Sequence, residues 1–209
     1  MKNIIKLTIL SGTSLLISLG LSSTANAAVV TYDFTGSGGD ASSYSFTESG
    51  LTVTATATYN GFSNFAEVNR NSNGLGVDSG IFDLNNQVDG FGQNDYLTLT
   101  FDATVEAIAL DFANNTSNDE FDFYVGTTRI INNAETTPDG WINLSGLTGN
   151  SLEGTTFTIR ANQNNDNFRV QGMQVNYAPA VPEPSTYAMF GMAFAILGVV
   201  GYRSRKDQK

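Results

Sequence analysis

Apolar residues recur at every second position through most of this chain, and that spacing limits its possible folds more than any other feature. Val30, Tyr32 and Phe34 alternate with polar neighbours, and the apolar positions between Leu51 and Tyr59 alternate with four threonines. Successive side chains of a strand point to opposite faces, so each such segment would bury one face and wet the other. The same period recurs near residues 97–101, 108–112, 121–125, 142–144, 157–159 and 168–177.

Clusters of Gly, Asn, Asp and Ser separate these segments about every ten residues, as turns do in β-sandwiches and barrels. They occupy residues 36–40, 69–76, 89–94, 114–118 and 161–167. No segment of the body keeps a 3.6-residue period long enough for a substantial helix. The sequence therefore predicts an all-β fold: an antiparallel β-sandwich, jelly-roll-like or lectin-like, with roughly eight to ten strands.

The last apolar segment changes phase in its middle. Phe168 and Val170 share one parity, whereas Met173 and Val175 have the other, and Gly172 lies between the two pairs. An extra residue in one strand shifts the face to which the following side chains point. We therefore expect a β-bulge at Gly172 that returns both halves to one common face.

The N-terminus has the order of a secretory signal peptide. Two lysines precede an apolar stretch from about residue 7 to 21, and an Ala-x-Ala site follows. We expect export by the Sec machinery, with a signal peptide at 1–27 and an extracytoplasmic domain at 28–180. The residues of the predicted cleavage site are Ala25, Ala27 and Ala28.

The C-terminus, at 181–209, has three parts in a fixed order. Prolines flank one glutamate and hold residues 181–185 extended, so that a groove could read them without unfolding a helix. An uncharged stretch at 187–202 would form a transmembrane helix about 24 Å long, and the basic end at 203–209 would stay in the cytoplasm. The short motif is Val181, Pro182, Glu183, Pro184 and Ser185, and the basic stop is Arg203, Arg205, Lys206 and Lys209.

This tail closely resembles the PEP-CTERM sorting signal. The resemblance implies recognition and cleavage by an exosortase, a membrane-embedded processing enzyme, with Pro182, Glu183 and Pro184 as the core motif. It also implies a tethered intermediate in the inner membrane of a Gram-negative-type bacterium, followed by delivery to the cell surface or the extracellular matrix, with exopolysaccharide as a further partner. A plain single-pass anchor is the alternative interpretation of the same tail.

The composition of the body excludes several function classes. Of twenty acidic residues only Glu183 and Asp207 lie in the tail, so residues 28–180 hold the other 18 acids against four arginines. That charge, about −14, disfavours nucleic acid and anionic membrane surfaces as partners. The absence of histidine removes the commonest general base and zinc ligand, and the absence of cysteine removes disulfides. We expect no enzymatic activity and no nucleic-acid binding.

Oxygen-rich loops are the candidates for a metal site. Calcium takes six to eight oxygen ligands, and Asp and Asn are concentrated in several loops of the body. The same residues are also what turns require, so we expect solvated turns and no cofactor, with a structural calcium ion as the alternative. No loop has the spacing of an EF-hand. The calcium candidates are Asp89, Asp95, Asp119, Asp122 and Asp166.

Three further patterns have a structural and a functional interpretation each. Acidic pairs such as Asp119 with Asp122, or Asp111 with Glu120, could serve a glycosidase, but solvated strand edges explain them better. Tyr and Trp side chains could stack on sugar rings or could border the core. The aromatic candidates are Trp141, Tyr96, Tyr124 and Tyr44.

Threonines form a ladder along one strand, and regularly spaced threonines occur on some ice-binding surfaces. The ladder consists of Thr52, Thr54, Thr56 and Thr58. Ice binding needs matching rows on neighbouring strands, and the only threonines expected there are Thr98 and Thr100, so a wet sheet face is the simpler interpretation.

The segments at 74–77, 95–101 and 121–125 loosely resemble the lectin-like cargo that this type of tail often carries. Taken together, the sequence predicts a non-catalytic surface or extracellular-matrix protein sorted by its tail. A carbohydrate- or calcium-dependent binding module is the alternative, and an ice-binding protein is a remote one.

Overall fold

The computed structural model of this chain describes residues 26–59, 66–80, 85–91, 94–116, 118–137 and 140–179, together with 190, 191 and 194. The β-rich part forms one compact unit, Asn26–Pro179.

Thirteen strands and one five-residue helix make up the described part of this unit. Alternation of buried and exposed positions is clearest in β4, where Leu51, Val53, Ala55 and Ala57 are buried and the threonines between them are partly exposed. The elements are β1 Ala28–Asp33, β2 Gly39–Ala41, β3 Ser43–Glu48, β4 Leu51–Tyr59, β5 Glu67–Asn71, β6 Gly74–Asp78, β7 Val88–Asp89, β8 Asp95–Ala113, β9 Glu120–Val125, β10 Thr128–Glu135, β11 Trp141–Asn143, α1 Leu144–Thr148, β12 Glu153–Arg160 and β13 Asn167–Tyr177.

Every strand pair in the described residues is antiparallel, and all the strands join one hydrogen-bonded sheet. Strand β8, with 19 residues, connects its two halves. The first half of β8 pairs with β4 and β12, whereas the second half pairs with β11 and β13. Strand β13 also pairs with β1, which places the first and last strands of the unit side by side.

The core includes contacts between strands that are not hydrogen-bonded neighbours in the sheet. The ring of Tyr32 on β1 packs edge-on against Phe101 on β8, with 5.7 Å between centroids. The Tyr32 hydroxyl donates to the carbonyl of Leu51 on β4 at 2.8 Å. Burial raises the pKa of this phenol, and the nearby carboxylates of Asp102 and Glu48 raise it further. Tyr32 therefore stays neutral and connects β1 with β4 and β8.

The predicted all-β, antiparallel architecture is confirmed, and several details differ. The strands form one continuous sheet, and the jelly-roll connectivity stays a prediction. The structure has more strands than expected, in part because β2, β7 and β11 are only two or three residues long. The predicted strand near 142–144 ends at Asn143, whose side chain caps α1 by accepting from the N–H of Gly146.

The bulge predicted at Gly172 is confirmed. Pairing between β13 and β8 shifts from Val170 opposite Phe112 to Gly172 opposite Asp111. The shift brings the apolar residues on both sides of the bulge into the core: Phe168, Val170, Met173 and Val175 are all buried.

The leader at 1–25 and the tail motif at 181–185, with the basic stop at 203–209, lie outside the described residues. Of the predicted membrane helix at 187–202, only residues 190, 191 and 194 are described. Among the residues that are described, no helix is both long enough and apolar enough to cross a membrane.

Candidate binding site

A row of four residues crosses neighbouring strands on one face of the sheet. Trp141 on β11 pairs with Asp111 on β8, Asp111 pairs with Gly172 on β13, and Gly172 pairs with Asp33 on β1. Directly opposed residues of antiparallel strands present their side chains to the same face. The row therefore puts an indole at one end, two carboxylates along it, and a residue without a side chain between those carboxylates.

Gly172 makes the floor of this arrangement. A Cβ atom at this position would lie 2.8 Å from Cη2 of Trp141 and 2.8 Å from the carbonyl oxygen of Tyr32. Only glycine lets the indole come this close to the strand. Because the bulge lies at this residue, the feature that restores the core phase also shapes the surface beside Trp141.

We call the resulting cavity, of about 430 Å³, the Trp141 cleft. The Trp141 side chain is exposed to 41 % although it belongs to a strand. Around it lie hydroxyl, amide and carboxylate groups, which both donate and accept hydrogen bonds. The lining residues are Thr31, Tyr32, Asp33, Thr35, Ser72, Asp111, Trp141, Gln171 and Gly172.

Asp33 is held as an anion in this cleft. Hydrogen bonds from Thr35, first from its hydroxyl and then from its backbone N–H at 2.9 Å, lower the pKa of the Asp33 carboxyl, and the charge of Arg70 adds to the effect. A general acid would need a raised pKa. Asp33 is therefore suited to accept hydrogen bonds from a ligand and unsuited to protonate one.

A second cavity, of about 690 Å³, adjoins the first and is named here the Arg70 cleft. Ser72 lines both cavities, and the consecutive residues Thr35 and Gly36 line one cavity each. The lining residues of the Arg70 cleft are Gly36, Ser37, Gly38, Gly39, Asn69, Arg70, Asn71, Ser72, Asn85, Asn86 and Arg169.

The other aromatic candidates are not brought to the Trp141 cleft. Tyr96 and Tyr124 lie on the guanidinium of Arg160, 5.5 and 5.8 Å from its central carbon. Tyr44 donates its hydroxyl to the carbonyl of Gly39 at 3.0 Å. These three rings therefore contribute to packing, and Trp141 alone of the four aromatic candidates borders that cavity.

The calcium candidates bond to backbone N–H groups or to arginine. Asp119 accepts from the N–H groups of Thr116 and Asn167, and Asp166 accepts from those of Glu120 and Gln163. These bonds tie together the loops on either side of β9 and β13, which explains why carboxylates occur there.

The remaining candidates follow the same rule. Asp89 accepts from the N–H of Phe91, and Asp95 accepts from the N–H of Asp89. Asp122 forms ion pairs with Arg160 at 2.6 Å and Arg129 at 3.3 Å. In the described part of the chain, no three acidic side chains gather as a cation site would require.

The acidic pairs considered for a glycosidase are separated by these roles. Asp119 and Asp122 are both buried, the first among backbone N–H groups and the second against arginine. Glu120 accepts from the side chain of Gln163, while Asp111 lines the Trp141 cleft. Of these four residues, Asp111 is the one found among the described residues that line the two clefts.

The threonine face is wider than the sequence indicated. One row runs through Ser45, Thr54, Thr100 and Thr156, and the next through Ser43, Thr56, Thr98 and Thr158. The expectation that only Thr98 and Thr100 would match the ladder is wrong, because β3 and β12 also contribute. Some hydroxyls bond across strands, as Thr98 does to Thr158 at 3.0 Å.

Of the predicted cleavage site, Ala27 and Ala28 are described and Ala25 is not. Ala28 is the first residue of β1, where it pairs with Tyr177. A cut between Ala27 and Ala28 would therefore leave the first strand whole.

Sequence reasoning identified Trp141 but missed Asp33, Gln171 and the whole Arg70 cleft. The alternation indicates only that Asp33 is a solvent-facing position of a strand, and the composition of the cluster at 69–76 indicates only a turn. The available signal was the bulge at Gly172, since bulges are frequent beside binding sites.

A family model of the PEP-CTERM protein-sorting motif matches residues 180–206. The match covers the short motif, the apolar stretch and most of the basic stop, in agreement with the resemblance found in the sequence. No curated protein matches the chain significantly. No solved structure does so either.

Proposed function

We propose that this chain is an exported, non-catalytic surface protein whose β unit binds a glycan in the Trp141 cleft. The sorting motif at 180–206 indicates an exported protein directed to the cell surface and processed by an exosortase-type enzyme. The observation that carries the binding proposal is the row Trp141, Asp111, Gly172 and Asp33 across four strands.

Sugar chemistry fits this row. A pyranose ring has a flat C–H face that stacks on an aromatic ring, and hydroxyls at its rim that bond to polar groups. Trp141 offers the flat surface, Asp33 and Asp111 offer carboxylate oxygens, and Gln171 offers an amide. The cavity volume of about 430 Å³ lies within the range of small-molecule sites, about 300–1,000 Å³.

The proposal includes a lectin-like arrangement of two facing layers. Contacts across the core, such as Tyr32 with Phe101, support two layers joined through β8. The role of this binding would be to retain the released protein in the exopolysaccharide. Calcium is left out of the proposal because the candidate carboxylates already bond to N–H groups and arginines.

Binding can be tested on the full-length chain with neutral oligosaccharides from several polysaccharide classes. Trp141 is the single tryptophan, so its fluorescence reports directly on this cleft. We expect a blue shift on binding and, by calorimetry, a loss of at least about tenfold in affinity for Trp141→Ala.

Phe91→Ala is the matched control, because Phe91 is 74 % exposed and lines neither cleft. It should bind like the parent. Equal affinity for the parent and Trp141→Ala, or silence of the parent across every glycan class, would overturn the proposed binding.

Processing can be tested separately in cells that contain an exosortase. Glu183→Gln removes the charge of the motif, and we expect the full-length chain to accumulate uncleaved. Glu135→Gln removes a carboxylate from the exposed end of β10 and should leave cleavage unchanged. Normal cleavage and release of Glu183→Gln would contradict the sorting assignment.

Ice binding is a second candidate, favoured by the two hydroxyl rows that cross β3, β4, β8 and β12. Strands about 4.8 Å apart and same-face residues about 6.8 Å apart make this a regular lattice. Thermal hysteresis of the purified chain tests it: activity abolished by Thr56→Lys would support an ice-binding face, and its absence from the parent would remove that candidate.

A further inference from the structure

The Arg70 cleft concentrates positive charge in an acidic protein. Residues 28–180 contain four arginines and no lysine, and two of those arginines line this one cavity. None of the described residues that line it is acidic. The other two, Arg129 and Arg160, form ion pairs with Asp122. In the Arg70 cleft, a ligand can therefore contact an arginine while none of the described lining residues is a carboxylate.

The Arg70 guanidinium is fixed in position before any ligand arrives. Its Nε donates to the carbonyl of Phe34 at 3.1 Å, and its Nη2 donates to the carbonyl of Thr35. Its central carbon lies 4.9 Å from the ring centre of Phe46. A Cβ at Gly36 would come within 2.6 Å of that carbon, so glycine is needed for this approach.

One side of this group remains available. Within the described residues, Nη1 of Arg70 has no hydrogen-bond partner, and Arg70 forms no ion pair. A guanidinium held by carbonyls keeps its full charge, and a charge-assisted hydrogen bond to an anion is about twice as strong as a neutral one. Because Arg70 is already ordered, such a bond costs little side-chain entropy.

Arg169 forms the buried support of the opposite wall. It is 2 % exposed, and its Nη2 donates to the side-chain oxygen of Asn69 at 2.8 Å and to the carbonyl of Asn86 at 2.5 Å. Its Nη1 donates to the carbonyl of Gly74 at 3.3 Å. Arg169 is therefore a positioning residue that holds the Asn69 side chain and the Asn86 backbone beside the cavity, and Nδ2 of Asn69 donates in turn to the carboxylate of Asp40 at 2.6 Å.

We propose that the Arg70 cleft is a subsite for an anionic sugar residue, occupied by the same glycan whose neighbouring sugar stacks on Trp141. This inference rests on the proposed glycan binding. Its structural basis is that the two cavities lie next to each other: Ser72 lines both, and the consecutive residues Thr35 and Gly36 line one each. The anionic group is a carboxylate, as in a uronic acid, or a sulfate ester.

The charge of the body restricts the ligand further. A unit that carries about −14 repels a polymer with an anion on every residue, and the repulsion acts over about 10 Å at 0.1 M salt. Arg70 can accept one anion at contact distance. The fitting ligand is therefore a mostly neutral heteroglycan with occasional acidic residues, and a polyuronate does not fit.

Three matched oligosaccharides test the subsite on the full-length chain: xylotetraose, xylotriose with one glucuronic acid branch, and a singly sulfated xylotetraose. We expect one of the two anionic probes to bind at least about tenfold tighter than the neutral probe, the gain of one charge-assisted hydrogen bond. The probe that gains identifies the anion. Equal affinity of all three would overturn the subsite while leaving neutral binding at Trp141 intact.

Asn71→Asp tests the location without removing Arg70 from its structural bonds. The side-chain oxygen of Asn71 accepts from the N–H of Asn73 at 2.8 Å, and an aspartate can accept the same bond. The variant should lose the tenfold gain of the anionic probe over the neutral probe. Asn132→Asp, on the exposed part of β10 and outside both clefts, adds the same charge and should keep the gain.

Trp141→Ala separates failure of the subsite from failure of glycan binding. If the parent binds the neutral probe and Trp141→Ala does not, glycan binding stands, and only the anionic gain is in question. If Asn71→Asp keeps the full gain, the anion does not lie in the Arg70 cleft and the inference is wrong.

Discussion

Removal of the buried Asp122 carboxylate should strongly destabilise this protein. Asp122 lies on β9 with its side chain fully buried, 2.6 Å from Nη2 of Arg160 and 3.3 Å from Nη1 of Arg129. Its other oxygen accepts from the N–H of Asn133 on β10 at 2.9 Å. Asp122 therefore neutralises a largely buried guanidinium and also holds β10 against β9.

The magnitude follows from what Asp122→Ala leaves behind. The Arg160 side chain is only 14 % exposed, and loss of one partner of a buried ion pair costs about 3–5 kcal/mol. Burial opposes the charged form of Arg160, but the Tyr96 hydrogen bond and the nearby Asp122 outweigh it and raise the pKa of this guanidinium. Arg160 thus stays charged, and the free energy of unfolding falls by about 3–5 kcal/mol.

Arg129→Ala is the matched control, because Arg129 bonds to the same oxygen but is 44 % exposed. An exposed pair contributes about 0–1 kcal/mol. Urea unfolding of the full-length chain, followed by Trp141 fluorescence, measures both variants. Asp122→Asn can still accept from the Asn133 N–H, so it should lose about 1 kcal/mol less than Asp122→Ala. Equal effects of Asp122→Ala and Arg129→Ala would refute the reasoning.

Three further outcomes are expected. Gly172→Ala, which drives a methyl group against Trp141, should cost about 1–3 kcal/mol in urea unfolding and abolish glycan binding, whereas Gly146→Ala, with no atom closer than 3.5 Å, should do neither. Thr35→Val removes the hydroxyl bond that helps to lower the pKa of Asp33, so Asp33 of the variant should protonate, and glycan binding should be lost, at a higher pH than in the parent. A lowered folded pKa gives stability that is lost as pH falls from the unfolded to the folded pKa, so the variant should lose less stability in acid than the parent, and an unchanged pH profile would contradict this role. Excess chelator should leave the melting temperature within about 1 °C, since loss of a bound calcium ion at 100 times its Kd would cost about 2.7 kcal/mol; a larger fall would restore the calcium hypothesis.

Local patterns were sufficient wherever one face of a strand is buried against the core. Alternation assigned β4 correctly, and the change of phase around Gly172 located a bulge that the pairing of β13 with β8 confirms. Both features depend on the sequence of a single strand and on which face is apolar. They could be predicted because burial alone determines which residues of each strand face the core, without information from other strands.

Strands with little apolar content were missed for the opposite reason. Strand β10 contains Asn, Thr and Glu, and only Ile131 among its residues is buried. Strands β5 and β6 lie largely within a cluster that was assigned as a turn, although only the Ser72–Asn73 step turns. Such strands form because neighbours supply hydrogen-bond partners, and that information is absent from local composition.

The Trp141 cleft could not be predicted because its row comes from four separate segments. Positions 33, 111, 141 and 172 become neighbours only through the register of β1, β8, β11 and β13. Sequence reasoning could name a tryptophan and several acids as candidates. It could not determine which acid lies beside the indole, because a shift of one residue would send each side chain to the other face.

Local neutralisation of charge explains how an acidic unit can still contain a binding site for an anion. Most buried aspartates in this fold are consumed by backbone N–H groups or by Arg160, so their charge is satisfied locally. Arg70 is instead held by the carbonyl oxygens of Phe34 and Thr35, which orient a guanidinium without cancelling its charge. Long-range repulsion then excludes densely charged polymers, while the short-range contact at Arg70 selects a single anion. Selectivity for sparsely charged glycans follows because the long-range repulsion and the short-range attraction at Arg70 oppose each other. This selectivity should weaken as salt screens the repulsion.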